Sequence, residues 1–184
     1  MKKYFRRFLF TAPIGLSVAI SVIAGSSCLS QDLEWPSLKK KIRKQFPSVA
    51  QLSTERLALW LSASDTTKPL LLDSRALKEY KISHLQGAKF AGSEKEVLKA
   101  TGDLNRGHPI VVYCSVGYRS SKLAVNLQKL GFKNVYNLEG SIFQWANEGR
   151  PVYSKGVQVK RVHPFNRMWG KLLKKELWVK SDLN

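Results

Sequence analysis

Cysteine is scarce in this chain: there are two in 184 residues, Cys28 and Cys114. If Cys28 leaves with a leader segment or is modified, Cys114 has no partner and an internal disulfide is excluded. Histidine is almost as scarce, at three residues, and His108 and His163 lack the spacing of metal ligands, so no metal site and no cofactor are expected. Acidic residues are few, 13 against 31 lysines and arginines, which leaves a formal charge of +18. Such a surplus attracts anions, whether nucleic acid, an anionic membrane surface or small anionic molecules. No internal repeat is visible. The longest apolar run, Ile14 to Ala24, is short for a membrane span and has Pro13 and Gly15 at its start. What remains is an ordinary globular composition, 43% hydrophobic and 24% charged, long enough for one domain with a real core.

The N-terminus reads as a targeting segment, residues 1–28. "MKKYFRRF" is a positive n-region, "IGLSVAISVIA" an apolar h-region, and "AGSSC", Ala24 to Cys28, offers small residues for cleavage. Three versions stay open: a cleaved signal peptide, lipidation at Cys28, or retention as an anchor. Gly25 stands where bacterial lipoprotein leaders usually carry Leu or Val. All three send the bulk of the chain across a membrane, to a periplasmic, lumenal or membrane-associated location, and argue against nucleic acid as a partner.

Residues 29–49 read as a basic linker with one short helix. Pro36 suits its first turn, and Leu38, Ile42 and Phe46 share a face that docks on the domain. The opposite, basic face is a possible membrane-surface contact. Residues 50–153 carry alternating helical and strand patterns. "STERLALWLSAS" is a helix capped by Ser53 or Thr54. Leu70 to Leu72, Pro109 to Tyr113 and "NVYNL" are buried strands, with a short strand or turn around Phe90. "SEKEVLKAT" opens at Ser93, "SSKLAVNLQKLGF" puts Leu123, Leu127 and Leu130 on one side and closes at Gly131, and "GSIFQWANEG" closes at Gly149. Strands alternating with helices through short links give an α/β fold with a small parallel sheet flanked by helices on both faces. In residues 154–184, a basic extension, Trp169, Leu172, Leu173 and Leu177 recur at helical spacing, and the stripe packs back over the domain or meets a membrane or partner.

In such folds sites collect at the carboxyl ends of strands, where the next helix begins. Cys114 stands there, followed by Ser115, Val116, Gly117, Tyr118, Arg119 and Ser120, and Asp73 and Arg75 end the neighbouring strand. A helix N-terminus carries unpaired N–H groups and about half a positive charge, which favours a thiolate or a bound anion. The short residues of the loop let their amides curl around the sulfur, and Arg119 adds a fixed charge. A free thiol is mostly protonated at neutral pH, so this setting is one that activates it without a histidine base. Cysteine-dependent phosphatases and arsenate reductases place the arginine one position further from the cysteine than the five seen here, and Tyr113 stands where those phosphatases use histidine. The shorter loop suits a smaller group than a tetrahedral oxyanion, such as one extra sulfur atom.

Residues 113–152, from Tyr113-Cys114 through Gly140-Ser141-Ile142-Phe143-Gln144-Trp145, resemble the second half of a rhodanese domain, with Ser141 in place of the second glycine of a Gly-Gly-Ile-x-x-Trp turn. Residues 70–90, with Asp73-Ser74-Arg75, Glu79-Tyr80 and His84 to Ala88, resemble the first half. The resemblance covers about residues 50–153. It implies a sulfurtransferase in which Cys114 takes a sulfane sulfur from an anionic donor such as thiosulfate and yields it to a thiophilic acceptor, a thiol or cyanide. The loop from Ser115 to Ser120 would hold the persulfide, Arg119 would stabilise it, and Asp73 and Arg75 would support the loop. The alternative is a rhodanese-fold binding or regulatory module without turnover. Arg119 is equally a structural partner for Asp73. Arg75 and Glu79 read as scaffold ion pairs, His84 as a structural histidine joining two segments, and Trp145 as core.

Overall fold

The computed structural model describes residues 33–179; the leader reading of residues 1–28 and the last residues of the extension lie outside them. Five short strands form one all-parallel sheet: β1 (Ala50–Leu52), β2 (Leu70–Asp73), β3 (Lys89–Phe90), β4 (Ile110–Tyr113) and β5 (Val135–Leu138), in the order β1-β5-β4-β2-β3. The central strand β4 is buried at all four residues, as a fully apolar run in a parallel sheet requires. Its side chains alternate between two core layers. Val111 and Tyr113 face one, with Leu57, Leu138, Ile142 and Phe143. Ile110 and Val112 face the other, with Val97, Ala124, Leu127 and Val135.

Helices cover both faces. Three supply the first layer: α1 (Trp35–Gln45), α2 (Thr54–Ser62) and, after the short α3 (Leu77–Ile82), α6 (Ser141–Asn147). The second layer takes α4 (Glu94–Thr101) and α5 (Tyr118–Lys129). The local signals act as expected at several ends. Ser53 accepts the Arg56 N–H at the start of α2, and Ser93 accepts that of Glu96 at the start of α4. Pro36 sits in the first turn of α1, whose Leu38 and Ile42 are buried against the domain while Phe46 packs beside them.

One strand of the sheet was not expected, and two expectations need correction. Strand β1 carries no recognisable pattern: "AQL" is three residues on a sheet edge, held by parallel pairing to Tyr136–Leu138. Helix α5 begins at Tyr118 and buries Ser120, Ser121, Ala124 and Leu127; of the expected leucine side Leu127 is fully buried, Leu123 half-buried and Leu130 47% exposed, so the inner face is centred on Ala124 and Leu127. The extension does not form one amphipathic helix. A hairpin of β6 (Val152–Ser154) and β7 (Val157–Val159) leads to the single turn α7 (Arg167–Gly170) and a 3₁₀ turn, Lys175–Leu177. A side chain at Gly170 would run into the Trp178 ring at 2.6 Å, so the chain folds back on itself there. Leu172 and Leu173 are buried in the first core layer, which is the packing-back outcome. Among the described residues no helix is long and apolar enough to cross a membrane.

Because Ile42 is almost fully buried, the basic α1 belongs to the cooperative unit. Ile42→Ala is expected to lower stability by about 2–5 kcal/mol in urea unfolding monitored by tryptophan fluorescence. A midpoint unchanged from that of the parent chain would show that α1 is an independent appendage.

Candidate active site

The loop after β4 is fixed from beneath. The N–H groups of Ile142 and Phe143, at the start of α6, donate to the carbonyls of Cys114 and Ser115, each at 3.2 Å. Ser141 accepts the Cys114 N–H at 3.1 Å and donates to the Leu138 carbonyl at 3.0 Å. The serine that replaces the motif's second glycine therefore carries two hydrogen bonds. It does so in a left-handed conformation, φ 51°, that a side chain ordinarily avoids. Gly117 precedes α5 with φ 112°, and a Cβ there would press on Asn137 Nδ2 at 3.3 Å. That turn carries the Gly117 N–H to 3.1 Å from Cys114 Sγ. Ser120, one turn on, sets its hydroxyl 3.5 Å from the same sulfur. The Ser120 hydroxyl donates to Asn137 Oδ1, and the Asn137 amide donates to Gln51 Oε1 at 2.7 Å.

Arg119 does not pair with Asp73. Its guanidinium makes a two-pronged pair with Glu79, 2.9 Å on each arm, and a third bond to Ser115 Oγ at 3.0 Å. Glu79 also accepts from the Ser115 hydroxyl and the Ala76 N–H. Asp73 pairs instead with Arg75, 2.7 Å apart and both wholly buried. The Arg75 guanidinium also donates to the Ser83 carbonyl and lies over the Tyr113 ring. Asp73 and Arg75 thus brace the strand that leads into Cys114, and their hydrogen bonds go to each other and to Ser83 rather than to its sulfur. Glu79 is the loop's partner, 40 residues away in sequence. Glu79 is the one buried residue of α3, and nothing local in the sequence sets it apart from other helix carboxylates.

Cys114 is 1% exposed. Burial pushes its thiol up, but the Arg119 charge and the hydrogen bonds from Ser120 and Gly117 outweigh it, and the thiol lies below its ordinary range. Burial likewise pushes Glu79 up, and the Arg119 pair with the Ala76 N–H brings it below the usual carboxylate range, so it is ionised.

A cavity of about 190 Å³ opens over Cys114, bounded by Val116, Tyr118 and Arg119 and, from the extension, by Phe165 and Trp169. Tyr118 lines it, its hydroxyl accepting from Gln45 Nε2 at 2.9 Å and its ring meeting Phe46 edge-on. His84 stacks on Tyr80 and bonds its carbonyl, and its backbone pairs with Tyr153 in both directions, away from the sulfur. Trp145 is core. Phe165, Trp169, Asn137, Gln51 and Ser141 were not legible as site residues, since only tertiary folding brings them there. Among the described residues no group of His, Cys, Asp and Glu gathers as metal ligands would.

Removing the nearest charge should be read directly on the thiol. Arg119→Gln is expected to move the pH midpoint of Cys114 alkylation upward, measured with iodoacetamide across pH 6–10 on the basis that thiolate is the reactive form. An unmoved midpoint would assign the activation to the loop amides alone.

Residues 55–148 match the rhodanese-like domain family, half of the chain. A protein of Photorhabdus laumondii named tRNA uridine(34) hydroxylase is 33% identical over 104 residues, which are 54% of this chain and 29% of that protein. A Burkholderia ambifaria protein of the same name is 28% identical over 118 residues, 60% of this chain and 42% of its own length. The chain thus spans less than half of these curated relatives. Among solved structures, a rhodanese-like domain from Anabaena superposes with a TM-score of 0.52 at 25% identity, covering 58% of this chain and 80% of that one. A thiosulfate sulfurtransferase from Pseudomonas aeruginosa gives 0.54 at 19% identity over 64% of this chain and 22% of its own, a likeness of fold alone. With its parallel sheet, its cysteine loop at the end of β4 and this match, the chain belongs to the rhodanese-like family.

Proposed function

We propose that the chain is a sulfurtransferase that works through a persulfide on Cys114. The observation that carries the reading is the convergence of the Gly117 and Ser120 N–H groups and the Arg119 charge on one buried sulfur at a helix N-terminus. The Cys114 thiolate attacks the outer sulfur of thiosulfate. A sulfur–sulfur bond forms to Cys114, the sulfur–sulfur bond of the donor breaks, and sulfite leaves with the electron pair. Cyanide or a thiolate then attacks the outer sulfur of the persulfide and releases the Cys114 thiolate. The loop from Ser115 to Ser120 holds the added sulfur. Arg119 acts as a fixed charge beside it, since Glu79 and Ser115 occupy its edges. Asp73 and Arg75 support the strand end. No cofactor enters this scheme.

A second reading draws on the names of the relatives and on the formal charge of +18: the domain serves a tRNA-modifying reaction. One experiment separates them. The purified chain is incubated with thiosulfate, weighed intact by mass spectrometry, and treated with cyanide, with Cys114→Ser alongside. A gain of one sulfur atom that cyanide removes as thiocyanate, absent in the variant, is the expected result. No gain, together with salt-sensitive binding of bulk tRNA, would transfer the assignment to the second reading.

A further inference from the structure

The floor of the cavity over Cys114 belongs to the matched family domain, but its roof does not: Phe165 and Trp169 lie beyond residues 55–148. Phe165 is held in a strained place. Its φ is 66°, a region that a bulky residue ordinarily avoids and that tends to mark functional sites. The turn around it is tied at each step. The Phe165 N–H donates to His163 Nδ1 at 2.9 Å, and the Asn166 N–H donates to the Pro164 carbonyl at 2.9 Å. Asn166 Oδ1 accepts the Trp169 N–H at 2.9 Å. On either side, Val162 and Leu172 are buried in the core. The result is a ring that stays 42% exposed yet lies over the Arg119 guanidinium, 4.7 Å from its centre. An exposed phenylalanine in a strained backbone adds little to the core, so its position asks for another reason.

The space left beneath is about 190 Å³. That is less than the ~300 Å³ at which pockets for drug-sized ligands begin. We propose that Phe165 and Trp169 are specificity-determining residues, a roof that restricts Cys114 to small sulfur donors and acceptors and excludes bulky thiols and macromolecules. This inference rests on the sulfurtransfer reading. In the acceptor step a small thiolate attacks the outer sulfur of the Cys114 persulfide, its new sulfur–sulfur bond forms, the Cys114 sulfur–sulfur bond breaks, and the Cys114 thiolate departs. A thiol carried on a tripeptide meets the two rings before its sulfur reaches the persulfide.

The test compares kcat/KM for 2-mercaptoethanol and glutathione as acceptors, with thiosulfate as donor, in the full chain and in Phe165→Ala, Phe165→Gly, Phe165→Tyr and Trp169→Ala. The parent chain is expected to prefer 2-mercaptoethanol by about tenfold or more, a discrimination within reach of steric pockets. Phe165→Ala and Trp169→Ala are expected to erase most of that ratio, and Phe165→Tyr, which keeps the ring, to retain it. Phe165→Gly relieves the left-handed strain, so it is expected to lose selectivity with Tm unchanged or raised, a combination that a merely structural role would not produce. Equal use of both thiols by the parent chain, or a ratio untouched by Phe165→Ala, overturns the roof while sulfur loading on Cys114 still stands. Absence of loading in the parent and in every variant overturns the sulfurtransfer reading and the roof with it.

Discussion

Glu79 is a carboxylate with 1% of its surface in water, and the loop around Cys114 is arranged about keeping it ionised. An unpaired charge at that depth would neutralise itself or unfold its surroundings. Four groups meet it: both arms of Arg119, the Ser115 hydroxyl and the Ala76 N–H. Satisfying Glu79 fixes the rotamer of Arg119 and the position of Ser115, and so fixes the loop between them. The positive charge beside the sulfur is thereby preorganised, which is what makes a charge effective in a dry site. The same pairing also offsets part of that charge. The thiol is lowered by a balance in which rigidity is gained at some loss of field strength.

The Asp73–Arg75 pair is the foundation one layer down. Both groups are wholly buried, so the pair contributes little net stability, but neither partner can be withdrawn without stranding the other. It sits at the end of β2, where the chain leaves the sheet. By binding the Ser83 carbonyl, Arg75 closes the segment that contains α3, and α3 carries Glu79. Support therefore runs from β2 through Arg75 to α3, from Glu79 to Arg119, and from Arg119 to the loop. Residues that never touch the sulfur decide where it stands.

How far these features could be read in advance follows from their range. Strands β2, β4 and β5 announce themselves because buried parallel strands read as nearly continuous apolar runs, broken here only by Asp73 and Asn137. The cysteine loop does so because a glycine and small residues between a strand and a helix have few other uses. Pairings are different. Arg119 had two carboxylates within reach of the motif, Asp73 and Glu79, and only the fold, which gives Asp73 to Arg75, decides between them. The stripe of Trp169, Leu172, Leu173 and Leu177 misleads for a related reason. Leu172 and Leu173 are buried and Trp169 and Leu177 half-buried, against the domain through a turn at Gly170, so burial occurs without the helix that the spacing suggests. Strand β1 is set by its neighbour β5 rather than by its own three residues.

The segments outside the family match converge on the site. Helix α1 reaches it through Ile42, whose Cδ1 would meet a Cβ on Gly117 at 3.6 Å, and through Gln45 and Phe46, which hold Tyr118. The extension reaches it through Phe165 and Trp169. The floor of the pocket, with its sulfur, amides and arginine, lies within the matched residues 55–148, whereas Phe165 and Trp169 lie outside them. Chemistry at the sulfur depends on the floor, whereas access to the sulfur depends on the walls. A relative that matches only over that domain has no counterpart of Phe165 and Trp169 within the match. It need not share the molecules that reach it, and the reaction named for a longer protein does not pass to this chain through the loop alone.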